Sequence, residues 1–319
     1  MQTPRVVSTF IGVDVSKDTL VTCVHDSGAR RTVPNQRSAI LVWLKSLPSG
    51  SAIGMEATGT YHELLADLAY SHGVLVYVLN PKHVHRYAKG VGLRTKTDRV
   101  DAAVIARYLV RERSDLHPYH PASPELRQLQ RLLLRRAKLS RSRAGLQQSL
   151  HGLNGLTRPL NQLLKHFDAL IAQIDARIKL LIDACPQRQA ANLRLRTIKG
   201  VGPVVAPALL YLLQRFAFLN ADSFVAYTGY DLCVDDSGKR VGRRRLSKEG
   251  PSELRRLLYN AAMAAVSSPA WKPIYQHYLA KGLSRTAALV VIARKIARTA
   301  WSIYTHNTTF DPTRITRQA

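Results

Sequence analysis

The spacing of apolar positions changes period several times along the first hundred residues. Residues 8–15 (STFIGVDV) and 19–25 (TLVTCVH) are runs rich in β-branched side chains, separated by the polar turn Ser16, Lys17, Asp18, a hairpin pattern. A third short strand is predicted over 30–33, an amphipathic helix over 38–47, and a buried strand over 51–56 (SAIGME). A helix over about 60–71 and an apolar strand over 73–80 (GVLVYVLN) follow. In TKTDRVDAAVIARYLVRER, residues 95–113, Val100, Ala103, Val104 and Tyr108 recur with a helical period. Asp98 and Asp101, three apart on the first turn of that helix, share one face.

From Pro124 onward the period stays helical. Leucines at three- and four-residue steps over 124–185 predict two long helices joined near 152–159, an antiparallel hairpin or a coiled-coil arm. In TIKGVGPVVAPALL, residues 197–210, the turn from Gly200 to Gly202 precedes an apolar helix. Such a turn presents backbone N–H groups to a phosphate in helix-hairpin-helix binders, and a simple helix-capping loop has the same composition. Residues 254–304 are Ala-rich and helical, with the aromatic patch WKPIYQHY and with Arg294, Lys295 and Arg298 on the last helix. The fold class expected is α/β plus α: an opening meander, then strands alternating with helices in a mixed sheet as in ribonuclease-H-like domains, followed by a helical remainder.

Size and charge narrow the function. A chain of 319 residues exceeds the size at which one core usually keeps growing, so more than one domain is expected. A net charge of +26, from 47 Lys and Arg against 21 Asp and Glu, calls for a polyanionic partner, with nucleic acid foremost. A ribosome-associated or membrane-surface protein would carry similar charge but would not explain the carboxylates described below. Cys23, Cys185 and Cys233 are odd in number and far apart, which argues against a disulfide framework or a zinc site and fits a reducing cytoplasm. No apolar run approaches the roughly 20 residues that span a bilayer, and MQTPRVVSTF lacks the apolar core of a signal peptide. Arg127, Arg131, Arg135, Arg136, Lys138, Arg141 and Arg143 form a stretch of seven cations without an acid. A merely solvated face would interleave acids, so this one is read as a nucleic-acid contact.

Four acids fall where the pattern gives them a common destination. Asp14 sits in the first strand run among apolar neighbours, Glu56 ends the strand at GMEATG, and Asp98 and Asp101 open the late helix. In a ribonuclease-H-like sheet the first strand and the strand after the first crossover lie side by side, and the late helix packs against their ends. Clustered carboxylates repel one another unless a cation neutralises them, and hard oxygen ligands suit Mg²⁺ or Mn²⁺. A two-metal clamp on a scissile phosphate uses such a set. Taken singly, each acid also has an ordinary place as a turn, helix-entry or helix-dipole charge.

The second chemical segment is VDDSGKRVGRRRLSKEG, residues 234–250. Lys239, Arg240, Arg243, Arg244, Arg245 and Lys248 make six cations in ten residues with no acid, a loop suited to a phosphate backbone. Ser237 precedes them. Its hydroxyl needs a base or a metal to become a nucleophile, no histidine lies in the stretch, and Ser237 with Gly238 also has the composition of a plain turn. Ser247 stands where it could N-cap the helix running through Leu254.

GVDVSK with Asp14, MEATGTY with Glu56, NPKHV, RTKTDRVDA with Asp98 and Asp101, TIKGVG, and SGKR followed by LSKEG resemble, in order and over nearly the whole chain, the DEDD transposases of the IS110 family of insertion sequences, relatives of the Piv invertase. The resemblance implies a RuvC-like metal-dependent domain over 1–120, a basic coiled-coil linker over 121–190, and a C-terminal transposase domain over 191–319 carrying the serine. It implies that Asp14, Glu56, Asp98 and Asp101 are the metal ligands and Ser237 the nucleophile that forms a phosphoserine link to DNA. It further implies a structured noncoding bridge RNA that pairs with donor and target DNA. The implied assembly is a homo-oligomer, from dimer to tetramer, in which one subunit's serine completes another's metal site. Where many relatives have Gly-Leu-Ala-Pro before the serine, this chain reads GYDLCVDDSG. Two other readings use the same residues differently. A Holliday-junction nuclease would activate water with the four acids and not need Ser237, and a non-catalytic nucleic-acid-binding protein would carry the acids as structural groups. Either way the protein is expected in the cytoplasm, on the nucleoid when active.

Overall fold

The computed structural model describes residues 7–92, 98–233, 242 and 244–316, with the side chains of 98–100 and 316 left aside. The chain divides into two compact units, Met1–Pro121 and Ala122–Ala319.

In the first unit, β1 (Thr9–Val15), β2 (Thr19–Val24) and β3 (Arg30–Pro34) form the opening meander. They are followed by α1 (Arg37–Lys45), β4 (Ser51–Glu56), α2 (Tyr61–Ser71), β5 (Leu75–Leu79), α3 (Pro81–Gly90) and α4 (Asp98–Glu112). The sheet order is β3-β2-β1-β4-β5. The meander pairs are antiparallel, while β4 runs parallel to both β1 and β5. The expected neighbour relation of β1 and β4 is therefore present. Helix α3 had no clear apolar period; Asn80 starts it by accepting a hydrogen bond from the Lys82 N–H, with Pro81 in its first turn.

Two glycines decide how α4 lies on this sheet. Gly12 and Gly54 pair side by side in β1 and β4. A Cβ at Gly12 would stand 2.1 Å from the Ala102 carbonyl oxygen and 2.3 Å from the Ala106 nitrogen; one at Gly54 would meet Leu109 Cδ2 at 3.2 Å. The helix backbone rests directly on β1, the close approach that glycine inside a strand permits. The helix buries Ala102, Val104, Ile105, Ala106 and Leu109. Of the apolar positions read from the sequence, Val104 is in the core and Tyr108 packs half-buried against it, while the contact with β1 falls on Ala102 and Ala106 and Ala103 is only half-buried.

The second unit is helical, apart from the two-residue strands β6 (Leu232–Cys233) and β7 (Arg245–Leu246). Its helices are α5 (Pro124–Ser149), α6 (Thr157–Asp183), α7 (Pro186–Arg196), α8 (Val205–Arg215), α9 (Ala221–Thr228), α10 (Ser252–Ala265), α11 (Lys272–Ala280), α12 (Arg285–His306) and α13 (Pro312–Thr316). Arg136 pairs with Asp175 and Arg143 with Asp168. Seven residues forward on α5 match seven back on α6, so the two helices are antiparallel. Leu126 and Leu129 of α5 and Ile178 and Ile182 of α6 belong to one core with α8, α10 and α12. Trp271 of the predicted aromatic patch is fully buried in that core and stacks on Phe310. No helix among the described residues is long and apolar enough to cross a membrane.

Candidate functional site

Asp14 lies two residues beyond Gly12, and Glu56 two beyond Gly54. Strand alternation puts both carboxylates on the face that α4 covers. The paired positions end at Val13 with Met55, so Asp14 and Glu56 occupy the next position along each strand, at the carboxyl end of the sheet. Helix α4 runs opposite to β1: the Arg113 guanidinium, just past its C-terminal end, lies over the Phe10 ring at 5.6 Å, whereas Ala102 and Ala106 lie over Gly12. The first turn of α4, bearing Asp98 and Asp101, therefore points toward the Asp14 and Glu56 end. The positive end of the helix dipole faces the same way and favours carboxylate charge there.

Asp14, Glu56 and Asp101 are all half-buried. Among the described residues, no three His, Cys, Asp or Glu side chains gather closely enough to hold a metal ion. The Asp98 side chain lies outside that description. The strand ends that carry Asp14 and Glu56 and the start of α4 thus come to one place.

Asn35, for which the sequence holds no signal, braces this end of the sheet. Its Nδ2 donates to the Ser16 carbonyl at 2.9 Å and to the Tyr61 carbonyl at 3.2 Å. One amide thereby ties the segment after Asp14 to the segment after Glu56. Gly12 and Gly54 did carry a signal, since glycine within two apolar strand runs marks a close backbone approach.

Ser237, Lys239, Arg240 and Arg243 lie outside the described residues. The ends of their loop are described. Leu232 pairs with Leu246 and Cys233 with Arg245. Ser247 Oγ donates to the Asp231 carboxylate, and the Ser247 N–H to the Asp231 carbonyl at 3.0 Å. Ser247 therefore closes the base of the loop and is not the expected N-cap, because α10 starts at Ser252 after Pro251. A Cβ at Gly250 would lie 1.9 Å from the Tyr227 carbonyl oxygen, so the loop's return is seated tightly on the end of α9. Arg244 and Arg245 are exposed, and Lys248 adopts a left-handed φ of 54°.

The cations of α5 divide into two sets. Arg136 and Arg143 make bidentate pairs with Asp175 and Asp168, and Arg141 reaches Glu253 at 3.5 Å. Arg127 Nε donates to the Ala122 carbonyl at 3.0 Å. Arg131, Arg135 and Lys138 are exposed. The acids missing from the α5 run are thus supplied largely by α6. Gly200 has a φ of 95°, and a Cβ there would stand 2.2 Å from the Ala261 carbonyl oxygen, so packing on α10 accounts for that glycine; Gly202 has open space around it.

A family model described as transposase, of the DEDD IS110 type, matches residues 11–176, more than half of the chain. A second, described as transposase of the IS116/IS110/IS902 family, matches residues 192–276. The pilin gene-inverting protein of Moraxella bovis is 28% identical over 316 residues, covering 95% of this chain and 98% of its own length. That of Moraxella lacunata has the same identity and coverage. The structure of Thermus thermophilus RuvC aligns with a TM-score of 0.26 at 16% identity, over 35% of this chain and 100% of that one. With one model matching the region of the two glycines and the acids, and the other the region of the serine loop, the chain belongs to the IS110 family of DEDD transposases, enzymes of DNA recombination.

Proposed function

We propose that the protein cuts and rejoins DNA during insertion-sequence transposition, with Ser237 as nucleophile and Asp14, Glu56, Asp98 and Asp101 as ligands for Mg²⁺ or Mn²⁺. The observation that carries this reading is the meeting of Asp14 and Glu56, on neighbouring strand ends, with the N-terminal end of α4. The donors are all hard carboxylate oxygens, which fit these ions. When bound, the metal would assist deprotonation of the attacking hydroxyl and stabilise charge on the leaving oxygen.

The residues of the chain do the rest. Ser237 Oγ forms a bond to phosphorus as the bond from phosphorus to a DNA oxygen breaks. The serine proton passes to solvent and the departing oxygen takes one up, so one phosphodiester is exchanged for another. A DNA hydroxyl then attacks the phosphoserine, rejoins the strand and releases Ser237. Arg244, Arg245 and Lys248, with their neighbours in the loop, hold the DNA backbone by charge. Ser237→Ala protein is expected to bind DNA and form no covalent protein–DNA adduct on denaturing gels. Full-rate nicking by that variant with Mg²⁺ would favour the water-activating junction nuclease instead.

Guidance by a bridge RNA would leave target choice to base pairing, and the exposed cations of α5 offer it a phosphate-binding face. Arg135→Glu with Lys138→Glu should lower the log–log salt slope of RNA binding by about 1.4 to 1.8, at roughly 0.7 to 0.9 per lost phosphate contact, with the fold intact. An unchanged slope would show that this face is only solvated. Joining two duplexes requires paired cuts, which supports a dimer or a pair of dimers. Leu163 and Leu170, exposed and seven apart on α6, offer apolar contacts to a second copy.

A further inference from the structure

In the second unit, α7, the end of α8 and the end of α12 converge with only the small side chains of Ala190 and Ala191 on the α7 side, and a cavity of about 760 Å³ remains between them. That volume falls within the roughly 300 to 1,000 Å³ of small-ligand sites. Phe216, Phe218, Trp301 and Tyr304 make its walls aromatic. Phe216 and Phe218 are held in place by Tyr227 and Phe224, with ring centroids 4.9 and 5.0 Å apart. The charged group in the wall is Arg194. Its Nη2 donates to Asn307 Oδ1 at 2.7 Å, where Asn307, in a left-handed conformation, ends α12. The Arg194 Nε is buried without a hydrogen-bond acceptor among the described residues, and none of the residues lining the cavity is acidic.

We propose that this cavity takes one unpaired nucleotide of a nucleic-acid strand, its base against the aromatic walls and its phosphate on Arg194. Every base has a π-face, so contact with aromatic side chains accepts any sequence, while an arginine beside them holds the backbone. An apolar molecule would cover the rings but leave a half-buried guanidinium without an anion, and a bare phosphate would make no use of the rings. A paired base is held in its stack and must leave it to enter a pocket, so single-stranded segments are favoured. Burial holds the Tyr304 phenol above its ordinary pKa, against the opposing pull of the Arg194 guanidinium, so it stays protonated as a donor to a base edge. Neither the carboxylates nor Ser237 take part, and binding is read without divalent metal, so failure here leaves the strand-exchange reading standing. DNA and RNA present the same unpaired nucleotide, and the titration separates them.

The full-length protein is titrated in EDTA with short single strands of DNA and of RNA and with a blunt duplex of equal length, following tryptophan fluorescence beside the anisotropy of the labelled strand. Trp43 and Trp271 are buried and Trp301 is half-buried, so quenching reports on Trp301. Single strands should quench and the duplex should not, and the single strand that binds more tightly names the source. Trp301→Phe keeps a ring, and should keep most of the affinity while abolishing the quench. Trp301→Leu should weaken single-strand binding about five- to 150-fold, the worth of one base–aromatic stack. Trp301 also borders the cavity around Arg298, which Arg194 does not, so Arg194→Gln fixes the site. That variant, with an unchanged circular dichroism spectrum, should reduce the salt slope by about 0.7, the share of one single-strand phosphate contact. The proposal is overturned if saturating single strands leave the fluorescence unchanged, if the duplex quenches as strongly, or if the quench survives Trp301→Phe. It is equally overturned if Arg194→Gln leaves the slope unchanged.

Discussion

Replacing Asp14 by Asn is expected to leave the protein folded and bound to DNA while lowering strand cleavage by roughly 10³-fold or more. The size follows from what a metal clamp supplies, several kcal/mol of transition-state stabilisation, at about 1.4 kcal/mol per factor of ten. Asn keeps the shape and half-buried position of Asp14 while removing the charge that a divalent cation needs. The strand should hold, because its neighbours Val13 and Val15 remain in the core. The measurement is Mg²⁺-dependent cleavage of a labelled duplex beside a binding isotherm for the same duplex. Cleavage retained in both Asp14→Asn and Asp101→Asn would remove these residues from the site, and the acids would then be structural.

Gly12→Ala should be the most damaging small substitution in the first unit, by at least about 3 kcal/mol, the upper part of the range for overpacking. The new Cβ would stand 2.1 and 2.3 Å from backbone atoms of α4, which no side-chain rotation can relieve. The helix must lift off the sheet, loosening the packing of Ile105 and Leu109 and moving the first turn of α4 away from Asp14. Gly54→Ala is the control. There the nearest atom, 3.2 Å away, is the end of the Leu109 side chain, which can turn aside, so a cost of about 1 kcal/mol is expected. Denaturant unfolding of the two variants gives the comparison directly, and equal midpoints would mean that α4 does not rest on β1 as described.

The elements of the first unit were legible in sequence because each strand and helix records its own burial in the period of its apolar residues. The runs around Ile11, Leu20 and Ile53 showed it, and the resulting order of strands already placed Asp14 beside Glu56. The two long helices after Pro124 were legible for the same reason, as was the charge that calls for a nucleic-acid partner. What the sequence could not determine depends on atoms brought from another element. The contact of α4 with β1 was not legible because Ala102 and Ala106 look unremarkable until Gly12 removes the side chain that would keep them off the sheet. The acid-free run of α5 looked unpaired because Asp168 and Asp175 lie on the returning helix. Ser247 looked like a helix cap because its actual partner, Asp231, stands across the base of a loop. Asn35 showed nothing at all, since its two acceptors are carbonyls, which no residue type announces. Local pattern determines which segments fold and which face they bury; only tertiary contact decides which charges are satisfied within the chain.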